Sequence, residues 1–131
     1  MNISEKIQEL NLPYGSFFVV GSGILNALGI RESGDIDMIV SDSVYQKFEA
    51  DGWQQGSWPG QTVLQRDEFE LGRWWDGKTV DELLKTAQVV DGIPYLNLDD
   101  VYTWKNAKGR EKDLRDLKLI DEYRAQLLSS K

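Results

Sequence analysis

The chain has 131 residues, enough for one domain around one core, and it is 40% hydrophobic and 28% charged, a balance that excludes a disordered or membrane-embedded chain. With no Cys and no His there is no disulfide framework, no zinc-finger-type site and no Ser-His, Cys-His or His-metal chemistry, so a site must be built from carboxylates, hydroxyls, Lys, Arg and backbone. A net charge of −7 disfavours broad nucleic-acid binding, which needs a basic footprint, but leaves room for a small basic patch beside an acidic metal site. The N-terminal sequence lacks the basic-then-apolar pattern of a secretory leader, and the longest apolar run, Phe17 to Val20, is far too short to span a bilayer. The expectation is no membrane partner and, by default, a cytoplasmic location.

Ile3, Ile7 and Leu10 recur at helical spacing between charged residues and predict a short amphipathic helix. Asn11 to Gly15 reads as a loop, and "SFFVV" as a short buried strand. Gly21-Ser22-Gly23 makes a turn into a helix carrying Ile24, Leu25 and Leu28, which Gly29 ends. "DIDMIV" is the next strand. Asp42 or Ser43 caps a helix carrying Val44, Tyr45 and Phe48 that stops at Gly52. Trp53 to Gly60, rich in Gly, Gln and Trp, reads as loop. "QTVLQR" and "FELGRWW" read as strands joined at Asp67-Glu68, with Trp74 and Trp75 adjacent on the second and one of them facing the core.

Asp76-Gly77 and Asp91-Gly92 are turn signals. Between them, Thr79 and Glu82 predict a capping box on a short helix. Asn97, with Asp100 at the third position, caps a helix through Lys105 that Gly109 breaks. The last helix carries Leu114, Leu117, Ile120, Tyr123 and Leu127 on one face. With no repeat and no linker, residues 1–131 read as a single domain, an α/β core over about 12–96 followed by a helical segment over about 97–131.

Asp35 and Asp37 stand two apart on an expected strand and so share a face, with Ile36, Met38 and Val40 turned into the core. Two neighbouring carboxylates repel unless a cation or a proton lies between them. Mg²⁺ takes oxygen ligands and keeps positions for water and substrate phosphates, so the pair suits a metal held against a nucleoside triphosphate. Gly21-Ser22-Gly23 joins a strand to a helix, where small residues let a phosphate approach backbone N–H groups and Ser22 adds a hydroxyl. No Lys follows the glycines, so this is not a Walker loop, and it lacks the G-x-G-x-x-G dinucleotide fingerprint.

"VVGSGILNALGI…SGDIDMIV" resembles the signature of the nucleotidyltransferase superfamily, the polymerase-beta-like fold, in its small single-domain bacterial form. Gly21, Ser22, Asp35 and Asp37 match that signature position by position. The tail "YLNLDDVYTWKNAKGREKDLRDLKLI" also resembles small members, through Lys105, Arg110, Lys112, Asp113 and Asp116, so the likeness spans nearly the whole chain. The resemblance implies an α+β fold with a mixed, mostly antiparallel sheet flanked by helices. It implies transfer of a nucleoside monophosphate from ATP or another nucleoside triphosphate to an acceptor hydroxyl of a small molecule, RNA or protein, with pyrophosphate released.

In that scheme Asp35 and Asp37 hold one or two Mg²⁺ ions. Glu70, or else Glu68, is the third carboxylate, which completes the second metal site and helps to deprotonate the acceptor. Gly21, Ser22 and Gly23 hold phosphates, and Lys105, Arg110 and Lys112 clamp them. At 131 residues there is little room for a separate acceptor-binding domain, so a homodimer or a partner chain is expected to complete the acceptor site. Two other readings stand beside this one. The first is a catalytically weak or inactive binding module on the same fold, such as an antitoxin or regulatory partner. The second is an α/β domain with an unrelated acidic metal site. In plainer terms, Lys105, Lys108, Arg110 and Lys112 are a solvated helix end, with Lys112, Asp113 and Asp116 in local ion pairs, and Trp53, Trp58, Trp74 and Trp75 serve packing, with a base-stacking role open to one of them.

Overall fold

The computed structural model describes residues 2–129. In chain order the elements are α1 (Ile3–Gln8), β1 (Phe17–Val20), α2 (Gly23–Ala27), β2 (Ile36–Val40), α3 (Asp42–Ala50), β3 (Gln54–Trp58), β4 (Gln61–Arg66), β5 (Phe69–Gly72), α4 (Val80–Leu84), β6 (Gln88–Val90), β7 (Ile93–Tyr95), α5 (Leu98–Lys108) and α6 (Glu111–Ser129). The strands form a seven-stranded sheet in the order β3-β4-β5-β2-β1-β7-β6. The β2–β5 and β1–β7 pairs are parallel, and the other neighbours are antiparallel. The fold is thus α+β with a mixed, mostly antiparallel sheet and a helical C-terminal segment, as expected.

The two central strands are apolar because both sheet faces are covered there. All four residues of β1 are buried, and in β2 Ile36, Met38, Ile39 and Val40 are buried as well. Ile36, Met38 and Val40 point inward as the alternation requires. Ile39, on the same face as Asp37, is equally buried, so only the start of this strand opens to a cleft. The two Asp-Gly turns form as their sequences dictate, with both residues at positive φ: 52° and 71° at Asp76-Gly77, 52° and 76° at Asp91-Gly92. Asn97 caps α5 by accepting from the Asp100 N–H at 2.8 Å, and Gly109 ends it in the left-handed region. Among the described residues no helix is long and apolar enough to cross a membrane.

Several local expectations are corrected. Residues 54–58 are not loop but the edge strand β3, because β4 supplies a full antiparallel ladder to a stretch with little strand propensity of its own. Trp53, just before it, is a core residue packed on Phe48 and Phe69. β5 ends at Gly72, so Trp74 and Trp75 lie beyond the strand, with Trp75 bridged to Lys78 across the Asp76-Gly77 turn. Ser41, not Asp42 or Ser43, caps α3, accepting from the Val44 N–H at 3.3 Å. Thr79 precedes α4 without a side-chain capping bond, so the expected capping box does not form. In α6 Leu114 and Leu127 are exposed, and the buried stripe is Asp113, Asp116, Leu117 and Ile120. That spacing is helical too, but two of its members are acids, which become buriable only through cations supplied from elsewhere.

Gly23 shows how tightly α2 sits on the sheet. A Cβ there would stand 2.5 Å from Val19 Cγ1 and 3.2 Å from Ile3 Cδ1. Gly23→Ala should therefore cost about 1–3 kcal/mol through overpacking. Urea unfolding checks this: the midpoint falls while the slope stays that of the parent.

Candidate active site

Asp37 is the second residue of β2 and pairs across the ladders with Val20 on one side and Glu70 on the other, and Glu70 pairs in turn with Gln65. Cross-strand partners share a face. A row Val20–Asp37–Glu70–Gln65 thus crosses four strands, with adjacent strands about 4.8 Å apart. Asp35 lies just before the strand rather than on it and is exposed, with its carbonyl accepting from the Ser33 hydroxyl at 3.0 Å. Glu68 precedes β5 and pairs with Lys6 at 3.3 Å, so Glu70 is the acid beside Asp37.

The Asp37 carboxyl is pushed up to about 6, first by burial, then by the neighbouring charges of Glu70 and Asp35, with Lys112 opposing. Gly21 adopts φ +66°, and a Cβ there would lie 3.3 Å from Asp37 Oδ2. The turn backbone therefore comes against this carboxylate in a conformation that a larger residue would resist. α2 spans only five residues, little more than one turn, so the backbone of the turn itself rather than a long helix dipole is what this end of the site offers a phosphate.

A cleft of about 220 Å³ opens here. Gly21, Ser22, Gly23, Asp35 and Asp37 line it from the motif segment, with Arg31 from between the two halves of that segment, and Trp104, Lys105, Arg110 and Lys112 line it from the helical tail. A second hollow of about 230 Å³, bounded by Asp35, Gln54, Gln65 and Glu70 among others, shares Asp35 with the cleft. All the residues matched to phosphate binding in the sequence thus border one cleft, but they are not equivalent within it.

Lys105 is 3% exposed, with its ammonium 2.8 Å from Asp116 and 3.6 Å from Asp113. Arg31 grips Asp116 in a fork at 2.6 and 2.8 Å, and Arg110 grips Asp113 at 2.6 and 3.2 Å while its backbone N–H donates to the same carboxylate. Burial alone would raise both acids. The Arg110 guanidinium and Lys105 hold Asp113 below the usual carboxylate range, and Arg31 and Lys105 do the same for Asp116. The network Arg31–Asp116–Lys105–Asp113–Arg110 thus has a buried centre, Lys105, Asp113 and Asp116, between two guanidiniums that reach solvent. Lys108, Arg110 and Lys112 are exposed, as a solvated helix end requires, but Lys105 is not, and the partner of Asp116 outside the helical tail is Arg31 rather than Lys112. Among the described residues no buried side-chain nitrogen or oxygen lacks a partner.

Sequence reasoning missed Arg31 and Trp104. Arg31 stands in "GIRESGDID", between the two halves of the motif, and its partner Asp116 is 85 residues away. Trp104 adjoins Lys105 in α5. Its ring meets Trp75 at 5.2 Å, Trp75 meets Trp58 at 6.4 Å, and Arg110 lies over Trp104 at 5.8 Å. The aromatic residue that borders the cleft is therefore none of the four considered from the sequence.

Asp35 and Asp37 bring to the cleft oxygen donors of the kind that a hard divalent cation takes. Among the described residues no three acidic side chains are gathered closely enough to enclose an ion alone. Asp37, crowded by Glu70 and Asp35, is the carboxylate that a cation would relieve, and Mg²⁺ leaves its other positions to water and phosphate oxygens. No protein-family model, curated protein or solved structure matches the chain.

Two outcomes follow from these charges. Asp116→Ala leaves Lys105 buried with half its compensation and should cost about 3–5 kcal/mol, seen as a lowered thermal midpoint. The raised Asp37 carboxyl means that the folded state holds this proton more tightly than the unfolded one, so the stability tied to it is present near pH 4 and lost as pH rises through about 6. In metal-free buffer, Asp37→Asn should gain about 1–3 kcal/mol over the parent at pH 8, and the gain should vanish near pH 4. Denaturant melts at the two pH values read the difference.

Proposed function

We propose that the protein is a Mg²⁺-dependent nucleotidyltransferase that moves a nucleoside monophosphate from a nucleoside triphosphate to an acceptor hydroxyl. One observation carries the reading. The Gly21-Ser22-Gly23 turn, the Asp35 and Asp37 carboxylates and the cations Arg31, Arg110 and Lys112 border a single cleft, although they are scattered over most of the chain. An anion-accepting turn, a carboxylate pair and a cationic wall are what a bound metal–triphosphate requires.

The small glycine turn admits phosphate oxygens to backbone N–H groups, and the Ser22 hydroxyl adds a donor. Arg110 and Lys112 meet phosphate charge from the opposite wall, while Lys105, tied to Asp113 and Asp116, fixes that wall rather than reaching out of it. Trp104 offers a ring face at the same border for a base. When bound, Mg²⁺ supplies charge neutralisation at the transferred phosphoryl group and its leaving oxygen. The acceptor oxygen attacks the α-phosphorus, the bond from that phosphorus to the bridging oxygen breaks, pyrophosphate departs with the electron pair, and the hydroxyl proton passes to a carboxylate of the Asp37–Glu70 pair. The engagement of both Glu70 oxygens by Trp58 and Gln65 favours a second reading, a binding module of the same fold that takes up nucleotide without transferring it.

Thermal unfolding with each of ATP, GTP, CTP and UTP, in MgCl₂ and in EDTA, tests the proposal. At about 100 times its dissociation constant a bound triphosphate adds about 2.7 kcal/mol, a rise of several degrees that should need Mg²⁺. Asp37→Ala should keep the fold and lose both this rise and the Mg²⁺-dependent transfer of α-phosphate label. No rise with any of the four nucleotides, or full activity in Asp37→Ala, overturns the reading. Binding without label transfer to any acceptor selects the module.

A further inference from the structure

Glu70 stands beside Asp37 in register, near enough for its charge to act on Asp37, yet both of its carboxylate oxygens are engaged from the hairpin. The Trp58 indole N–H donates to Oε2, and the Gln65 carboxamide donates to Oε1 at 3.3 Å. Both donors belong to the β3–β4 hairpin, on the side away from Asp37. Asp37 borders the cleft and Glu70 borders the second hollow.

The seats of the two donors are built into the sheet by missing side chains. A Cβ on Gly72, two residues beyond Glu70 and on the same face, would lie 2.6 Å from the Trp58 ring, and a Cβ on Gly56 would fall on the Gln65 carboxamide. Neither glycine has the positive φ that would otherwise explain it. Each provides flat backbone for the donor to lie across, and Trp75 closes edge-on over Trp58. Charge-assisted bonds to both carboxylate oxygens make this the favoured resting place of Glu70.

We propose that Trp58 and Gln65 form a latch that holds the Glu70 carboxylate apart from Asp37, and that a divalent cation with a triphosphate in the cleft draws Glu70 off the latch. The inference rests on the nucleotidyltransferase reading. Two like charges on paired strands repel, so in the unloaded cleft Glu70 gains by turning to neutral donors. A cation beside Asp37 reverses the sign of that interaction, and the differential affinity for the turned state supplies the shift. The latch reduces apparent affinity by the fraction of molecules in which Glu70 is released. Trp58 acts through Glu70 and is a positioning residue.

The test uses the full chain labelled with ¹⁵N-tryptophan, which has five indole signals, that of Trp58 being identified by its loss in Trp58→Phe. Glu70→Gln should move the Trp58 signal upfield, because a carboxylate acceptor is replaced by a neutral one. MgCl₂ with the triphosphate that stabilises the protein should move it the same way, and neither should do so alone. Trp58→Phe keeps a ring over Gly72 and removes the donor, so it should bind the Mg²⁺–triphosphate about tenfold more tightly, whereas a purely structural role predicts weaker binding. A stationary Trp58 signal in a protein that the nucleotide does stabilise, or weaker binding by a folded Trp58→Phe, overturns the latch alone. No stabilisation by any of the four triphosphates overturns the nucleotidyltransferase reading and the latch with it.

Discussion

The parallel pairing of β2 with β5 sets Asp37 and Glu70, two acids, in register on one sheet face, and the surroundings of both follow from how that repulsion is contained. Asp37 has the Gly21 backbone against it, only Lys112 as a moderating charge, and a carboxyl that favours its proton. Glu70 instead receives two neutral donors from the β3–β4 hairpin. Register thus produces an acid crowded by like charge and a neighbour whose two oxygens are bonded by the hairpin.

The opposite wall solves the reverse problem. Asp113 and Asp116 occupy the buried stripe of α6, where a helix in isolation would carry apolar residues. Lys105 from α5 lies between them, and Arg31, from the segment joining α2 to β2, closes the outer end. Three cations against two acids leave one positive charge in excess at the border of the cleft. Buried ion pairs of this kind are costly to desolvate and contribute less to net stability than to geometry. Here they tie the helical tail to the segment between the two halves of the glycine–aspartate motif, so the two walls of the cleft are held to each other by charge.

The aromatic residues link those walls to the hairpin. Trp58, Trp75 and Trp104 meet edge to face in sequence, from the donor on Glu70 to the ring bordering the cleft. The hairpin that positions Glu70 and the helix that presents Trp104 are therefore in contact through rigid rings, with Gly72 and Gly56 leaving the space that lets the hairpin side chains lie flat.

Much of this was legible in the chain. Alternation and apolar runs marked β1, β2, β4 and β5; Asp-Gly pairs marked two turns; Asn97 and Gly109 marked the ends of α5; and the spacing of Gly21, Asp35 and Asp37 marked the cleft. These are local signals, set by φ preference, side-chain period and hydrogen bonds within a few residues. What only the tertiary structure decided depends on partners far away in sequence. β3 is a strand because β4 pairs with it. Leu114 lies outside and Asp113 inside because Lys105 and Arg110 neutralise the acid. Arg31 borders the cleft because Asp116 holds it there. Glu70 is bonded to Trp58 and Gln65 because the hairpin offers two donors where the neighbouring strand offers a like charge. The sequence carries the residues that border the cleft; long-range electrostatics determined which of them are tied into ion pairs and which are not.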